Sequence, residues 1–262
     1  MDYQVLMREP RIQTKSHPVV FVHGAWHAAW CWEEHFLAYF ANDGYVTLAP
    51  DLPDHSTSGG HAVVRWRRID DYVARLAEVV GSLATRPILV GHSMGGFVVQ
   101  KYLEQDTVEA AILLAPVPVH GAIWGTLRTI RRIPLQFLKE TMQLRLYPVI
   151  ETEKLAREAL FSPTVHPSSL TQHFSRLQDE SYLAFLDMVV FRLPHPNRVS
   201  TPVLVLGAEN DSLFRPKELQ ATAAVYGGQV KIFPEMAHDM MLEQDWQTVA
   251  DYILKWLETR GL

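Results

Sequence analysis

The stretch Val90-Gly-His-Ser-Met-Gly-Gly-Phe97 places one hydroxyl, Ser93, among Gly91, Gly95 and Gly96. A strained strand-to-helix turn would lift such a serine clear of a sheet, with small neighbours letting the adjoining backbones pass closely. The same spacing also occurs in ordinary flexible loops, so the motif needs partners. A serine hydroxyl is a poor nucleophile at neutral pH unless a base takes its proton and a carboxylate holds that base. Two later loops offer both. Gly207-Ala-Glu-Asn-Asp211 follows the apolar run Pro202–Leu206, and Pro234-Glu-Met-Ala-His238 follows Val230–Phe233. Ser93, Asp211 and His238 are therefore the candidate nucleophile, acid and base. Glu209 shares the loop with Asp211 and competes for the role of acid; Glu235 and Asp239 flank the histidine too closely to reach its far ring nitrogen and read as structural or rim residues.

Attack on a carbonyl develops an oxyanion, which needs preorganised backbone donors. The amide of Met94 would open the helix after Ser93, where the helix dipole also favours negative charge. A second donor is expected from Ala25 in His23-Gly-Ala-Trp26, where Gly24 permits an unusual backbone angle. His23 ends an apolar run and reads as a structural hydrogen-bonder, and His92 as a residue packed beside the sheet. His23 and His27 are four apart but on a loop, with no third ligand evident, so no metal site is expected. Cys31, the single cysteine, lies in Ala28-Ala-Trp-Cys-Trp32 and is expected as buried filler.

Apolar runs rich in Val, Ile and Leu must carry these loops: Pro18–Val22, Val46–Ala49, Pro87–Val90 and Pro202–Leu206, with Glu109–Ala115 and Val230–Phe233 as two more. Short, continuous apolar runs fit strands buried on both faces, as in a parallel sheet. Helical patterns alternate with them over Ala29–Asn42, Ile69–Ala84, Gly96–Gln105, Pro216–Tyr226 and Asp245–Arg260. The result is an α/β fold whose ligands sit beyond the carboxyl ends of the strands. Each candidate follows a strand of its own, so all three converge on one edge.

Between Pro116 and Arg198 the alternation stops. Helical patterns over Ile123–Ile133, Leu135–Leu146, Glu151–Leu160, Ser168–Leu177 and Glu180–Phe191, punctuated by prolines, predict a helical cap over 117–198, with 1–116 and 199–262 as the core. Trp124, Leu127, Phe137 and Phe185 of the cap, with Trp26 of the core, are the candidate lining of an apolar substrate cavity. Arg128, Arg131 and Arg132 are expected on a solvated helix face.

With 262 residues, 48% hydrophobic and 20% charged, the chain can bury a large core. The net charge of -5 gives no footprint for nucleic acid or an anionic membrane, so a small molecule is the expected partner. The start of the chain lacks the basic tip and apolar stretch of a secretory signal, and one cysteine cannot form an internal disulfide, so a soluble, cytoplasmic protein is expected.

On HGAW (His23–Trp26), GHSMGG (Gly91–Gly96), GAEND (Gly207–Asp211) and the late His238, the chain resembles the α/β-hydrolase superfamily from about Val19 to Arg260. Within it, HGAWHAAWCW (His23–Trp32) is similar to the HGACHGAWCW stretch of the methylesterase and hydroxynitrile lyase branch, and bacterial carboxylesterase-like members are the nearest general likeness. The resemblance implies the α/β-hydrolase fold, a mostly parallel central sheet flanked by helices, with the cap inserted after the sixth strand of the fold, here Glu109–Ala115. The lyases of that branch carry threonine and lysine where this chain has Gly24 and Asp239, and an acid beside the site would repel cyanide. In Pro50-Asp-Leu-Pro-Asp-His-Ser56, Asp54 and Ser56 replace glycines of the family's turn. The expected function is cofactor-free hydrolysis of a carboxylic ester of a hydrophobic small molecule through an acyl-enzyme. The same triad also fits a carbon–carbon bond, lactone or thioester hydrolase, and the fold also serves ligand receptors without turnover. The cap is a possible surface for homodimerisation.

Overall fold

The computed structural model describes residues 4–55 and 64–262. Seven strands form one sheet: β1 (Val5–Arg8), β2 (Val19–Val22), β3 (Thr47–Pro50), β4 (Ile88–His92), β5 (Ala110–Leu114), β6 (Val203–Ala208) and β7 (Gln229–Phe233), in the order β1-β3-β2-β4-β5-β6-β7. Only β1 runs antiparallel, against β3. Every residue of β2, β4, β5 and β6 is buried, which is why their sequences are continuously apolar. The edge strands differ. In β7 exposed Gln229 and Lys231 alternate with the more buried Val230, Ile232 and Phe233, and β1 is mostly exposed. Its apolar stretch, Val5-Leu6-Met7, is too short to stand out as a strand.

Helices α1 (Trp30–Glu33), α2 (Phe36–Asn42), α3 (Ile69–Gly81), α4 (Met94–Tyr102), α10 (Pro216–Val225) and α11 (Trp246–Glu258) accompany the sheet. The helix expected over Ala29–Asn42 is broken between α1 and α2, where His35 leaves helical geometry at φ -136°, ψ -59°. Parallel pairing across β2, β4 and β5 aligns Val22 with Gly91 and His92 with Leu114. The loops after β2, β4, β6 and β7 therefore open on one edge.

After β5 the chain leaves the sheet for α5 (Ile123–Arg132), α6 (Pro134–Gln143), α7 (Glu153–Leu160), α8 (Pro167–Phe174) and α9 (Tyr182–Leu186), which runs into a π-helical turn over Asp187–Phe191. Buried polar contacts fasten this segment to the rest. Asp187 takes the Ile69 amide at 3.1 Å and the Arg68 guanidinium. Glu180 takes His55 Nε2 at 2.9 Å and the Tyr72 hydroxyl at 2.7 Å. Gln178 donates from its backbone to the Trp26 carbonyl (2.9 Å) and from its side chain to that of His27 (3.0 Å). Asp54 of the Pro50–Ser56 turn adopts φ 64° and pairs with Arg67 at 2.5 Å; Ser56 lies outside the described residues.

Candidate active site

Ser93 follows the last residue of β4 and precedes the first of α4, at φ 50° and ψ -117°. That region costs a side-chain-bearing residue of order 1–3 kcal/mol and persists only where surroundings enforce it. Here they do. The Ser93 amide donates to the Leu114 carbonyl (3.0 Å), and its own carbonyl accepts from Phe97 and Val117 (both 3.1 Å). The three glycines supply space: a Cβ on Gly91 would lie 2.6 Å from the Gly95 carbonyl oxygen, one on Gly95 2.3 Å from that of Val22, and one on Gly96 2.8 Å from Pro116 Cβ. The turn and the strand beside it are thus packed backbone to backbone.

His238 and Asp211 meet from two loops 27 residues apart. His238 Nδ1 donates to Asp211 Oδ2 at 2.8 Å, while Asp211 Oδ1 accepts the amides of Leu213 (2.7 Å) and Phe214 (3.0 Å). All three contacts of this carboxylate are internal, and both side chains of the pair are buried. Burial alone would lower the His238 pKa, but the charge and hydrogen bond of Asp211, with the charge of Asp239, carry it above its ordinary value. His238 Nε2 is buried and has no partner among the described residues, so it is the ring atom left to accept a proton. Glu209, the competing acid, is exposed, and among the described residues its carboxylate accepts only the Glu235 amide, at 3.4 Å. The His238 ring packs on His92, centroid to centroid 4.8 Å, which brings it beside the Ser93 turn.

The loop after β2 completes the arrangement. Ala25 and Met94 border the same cavity as Ser93, and neither backbone amide has an acceptor among the described residues. The unusual backbone angle expected at Gly24 falls instead on Trp26, at φ 66°. Gly24 is required for room, since a Cβ there would lie 2.7 Å from His92 Nδ1 and 3.0 Å from Ser93 Cβ. His23 is the structural bonder expected: it is buried, accepts the Leu52 amide on Nε2 (3.1 Å), and burial pushes its pKa well down.

Sequence reasoning missed what holds this loop. His27 Nδ1 lies 2.8 Å from the Ala25 carbonyl and its Nε2 3.0 Å from Asp239 Oδ2. Both ring nitrogens face acceptors, so the ring is gripped at both ends. Burial would raise the Asp239 pKa, but His27, with His92 and His238, holds it below the usual value. Asp239 is thus an internal strut rather than a rim residue, and 212 residues separate it from His27, beyond any sequence motif.

The cavity over Ser93 has a volume of about 80 Å³ and an apolar wall. Trp26, Phe137 and Phe185 line it, with Phe214, Met188 and Val149. Trp124 and Leu127 do not. Ala122, Gly125, Thr126 and Thr129 turn toward the cavity, which sets Trp124 and Leu127 on another face of α5, and Trp124 is 61% exposed. Arg128, expected in solvent, instead donates to the Leu213 carbonyl and to Glu218 at 2.7 Å. Cys31 is fully buried and unpaired, its thiol pushed well up in pKa by burial. Among the described residues, one group from each of His92, His238 and Asp239 falls within 4.8 Å, but Asp239 Oδ2 is held by His27 and His92 Nε2 by the His238 carbonyl (3.1 Å).

A probable esterase of rice, PIR7A of Oryza sativa subsp. japonica, is 27% identical over 237 residues, covering 87% of this chain and 81% of that protein. Methylesterase 10 of Arabidopsis thaliana is 33% identical over 117 residues, 42% of this chain and 41% of its own. Among solved structures, the monoacylglycerol lipase of Paleococcus ferrophilus superposes with a TM-score of 0.73 at 18% identity, covering 98% of each chain. The model of the alpha/beta hydrolase family matches residues 19–252. That span runs from β2 through the turn at Ser93 and both loops that meet at His238, and the chain belongs to the alpha/beta hydrolase family.

Proposed function

We propose that this family member is a carboxylesterase-type serine hydrolase acting on esters of hydrophobic small molecules, with residues 117–198 forming a cap over the site. The observation that carries the reading is the 2.8 Å bond from His238 Nδ1 to Asp211 Oδ2, because it fixes the tautomer and leaves Nε2 as a base. Ser93 Oγ attacks the ester carbonyl carbon as its proton passes to His238 Nε2. Asp211 stabilises the imidazolium. The Ala25 and Met94 amides receive the oxyanion, each such donor being typically worth about 10² to 10³ in rate. Collapse of the intermediate breaks the bond to the alcohol oxygen, which takes the proton from Nε2 and departs. Water then gives a proton to Nε2 and its oxygen to the acyl carbon; the acid is released, and Ser93 recovers its proton. No step calls for a cofactor. The named esterase and methylesterase relatives support an ester as the bond cleaved.

Hydrolysis of p-nitrophenyl esters of graded acyl length by the wild type and by Ser93→Ala tests this. The expected result is activity on short to medium acyl chains that falls by on the order of 10⁴ or more in Ser93→Ala. A folded wild type that turns over none of them, or a Ser93→Ala that retains its rate, sinks the proposal.

A further inference from the structure

Glu140 takes no part in the chemistry above, yet it occupies the same cavity. It lies on α6, is 1% exposed, and lines the space over Ser93 as the single ionisable side chain among the described lining residues. Its carboxyl has no hydrogen-bond or ion-pair partner among the described residues. The helix around it is inverted with respect to stability: Leu135 and Met142 on the same helix are 75% and 78% exposed, while the acid is inside. Packing alone favours the opposite arrangement, since a buried polar group without a partner costs free energy.

Its surroundings fix its protonation. Burial, and then the charge of Asp179, push the Glu140 pKa up to about 8. Asp179 is itself committed to Arg145 at 2.5 Å and to the Tyr147 amide at 3.0 Å, so it is a fixed neighbour that shares no proton with Glu140. At neutral pH the cavity therefore presents a carboxylic acid, an O–H donor with a carbonyl acceptor beside it. A purely apolar ester leaves both groups unmatched. A carboxylate on the substrate meets the field of Asp179. A neutral oxygen satisfies the donor without introducing charge.

We infer that Glu140 is a specificity-determining residue which hydrogen-bonds a keto or hydroxyl oxygen carried on the apolar part of the ester, remote from the bond that is cleaved. This rests on the ester-hydrolase reading of the same cavity, and it narrows the substrate class to esters with a second, neutral oxygen.

The test separates binding from turnover. Calorimetry on the Ser93→Ala protein would compare methyl 5-oxohexanoate with methyl hexanoate, and 5-oxohexyl acetate with hexyl acetate, so that the oxygen is placed on either side of the ester. In at least one pair the oxo compound is expected to bind about tenfold more tightly. Adding Glu140→Met should abolish that ratio, and Glu140→Gln, which keeps a donor, should preserve it. Glu140→Met should also raise Tm, a change opposite to the loss that a packing or structural role gives. No preference in either pair, a preference that survives Glu140→Met, or a fall in Tm on that substitution overturns the inference. Turnover of the same four esters by the wild type reads the other question: discrimination in binding without hydrolysis removes the esterase reading and keeps Glu140, whereas hydrolysis without discrimination removes Glu140 alone.

Discussion

Asp211 and Glu209 sit two residues apart on one loop in opposite surroundings. Asp211 is buried, with one oxygen on His238 and the other on two backbone amides, while Glu209 is exposed. Asp211→Asn should therefore lower kcat by on the order of 10⁴, as loss of the tautomer-fixing acid does elsewhere, and Glu209→Gln should leave steady-state rates within about twofold. The reverse pattern in the two variants would reassign the acid. On the proposed mechanism the rate requires neutral His238, so kcat/KM should decline as pH falls through its pKa. Because Asp211 and Asp239 raise that pKa above its ordinary value, the acid limb should lie above 6.5. Removing the Asp211 charge leaves burial to dominate, and a pH–rate profile of the residual activity in Asp211→Asn should show the limb moved to lower pH. At this scale the sequence was informative where a residue type has few uses. A serine among glycines and a histidine after a late strand could be picked out; Glu140 could not, because nothing in a helical pattern says which face meets a cavity. The same blindness placed Trp124 and Leu127 on the lining when α5 turns them elsewhere.

Elements hold these residues by close approach and by buried charge. Gly95 lets α4 rest on β2, and a Cβ there would meet the carbonyl oxygens of Val22 and His23 at 2.3 and 2.4 Å. Both are backbone atoms and cannot swing aside. Gly95→Ala should cost about 1–3 kcal/mol in denaturant unfolding, as overpacking does, and should reduce kcat by moving the Ser93 turn; unchanged stability would mean that the contact relaxes freely. His55 and Glu180 join the inserted segment to the loop after β3, both fully buried at 2.9 Å. Removing the Glu180 charge lets burial neutralise His55 and weakens the acceptor for Tyr72, so Glu180→Gln should destabilise by about 1–3 kcal/mol. The buried parallel strands were legible as continuous apolar runs, since both of their faces meet helices. The antiparallel β1 was not: it is largely exposed, and its three apolar residues, Val5-Leu6-Met7, are too few to set it apart from a loop.

For the molecule as a whole, the buried histidines set how stability follows pH. Burial alone would lower the His55 pKa, but the charge and hydrogen bond of Glu180, with the Pro53 carbonyl and Asp51, raise it above the ordinary value. A raised folded-state pKa contributes stability that is complete below the unfolded value of about 6.5 and is lost as pH climbs through the folded value. His238 contributes with the same sign. Thermal melts should thus show Tm falling as pH rises above about 6.5, and His55→Gln should flatten that slope; a slope unchanged by the substitution would acquit the pair. Cys31 adds a property of another kind. It is the chain's single cysteine, fully buried and unpaired, with its thiol held in the unreactive protonated form. A thiol reagent reaches it only when the wall of helices around β2 comes apart, so the native protein carries its own clock: the labelling rate of Cys31 measures how often the core opens, with no reporter introduced.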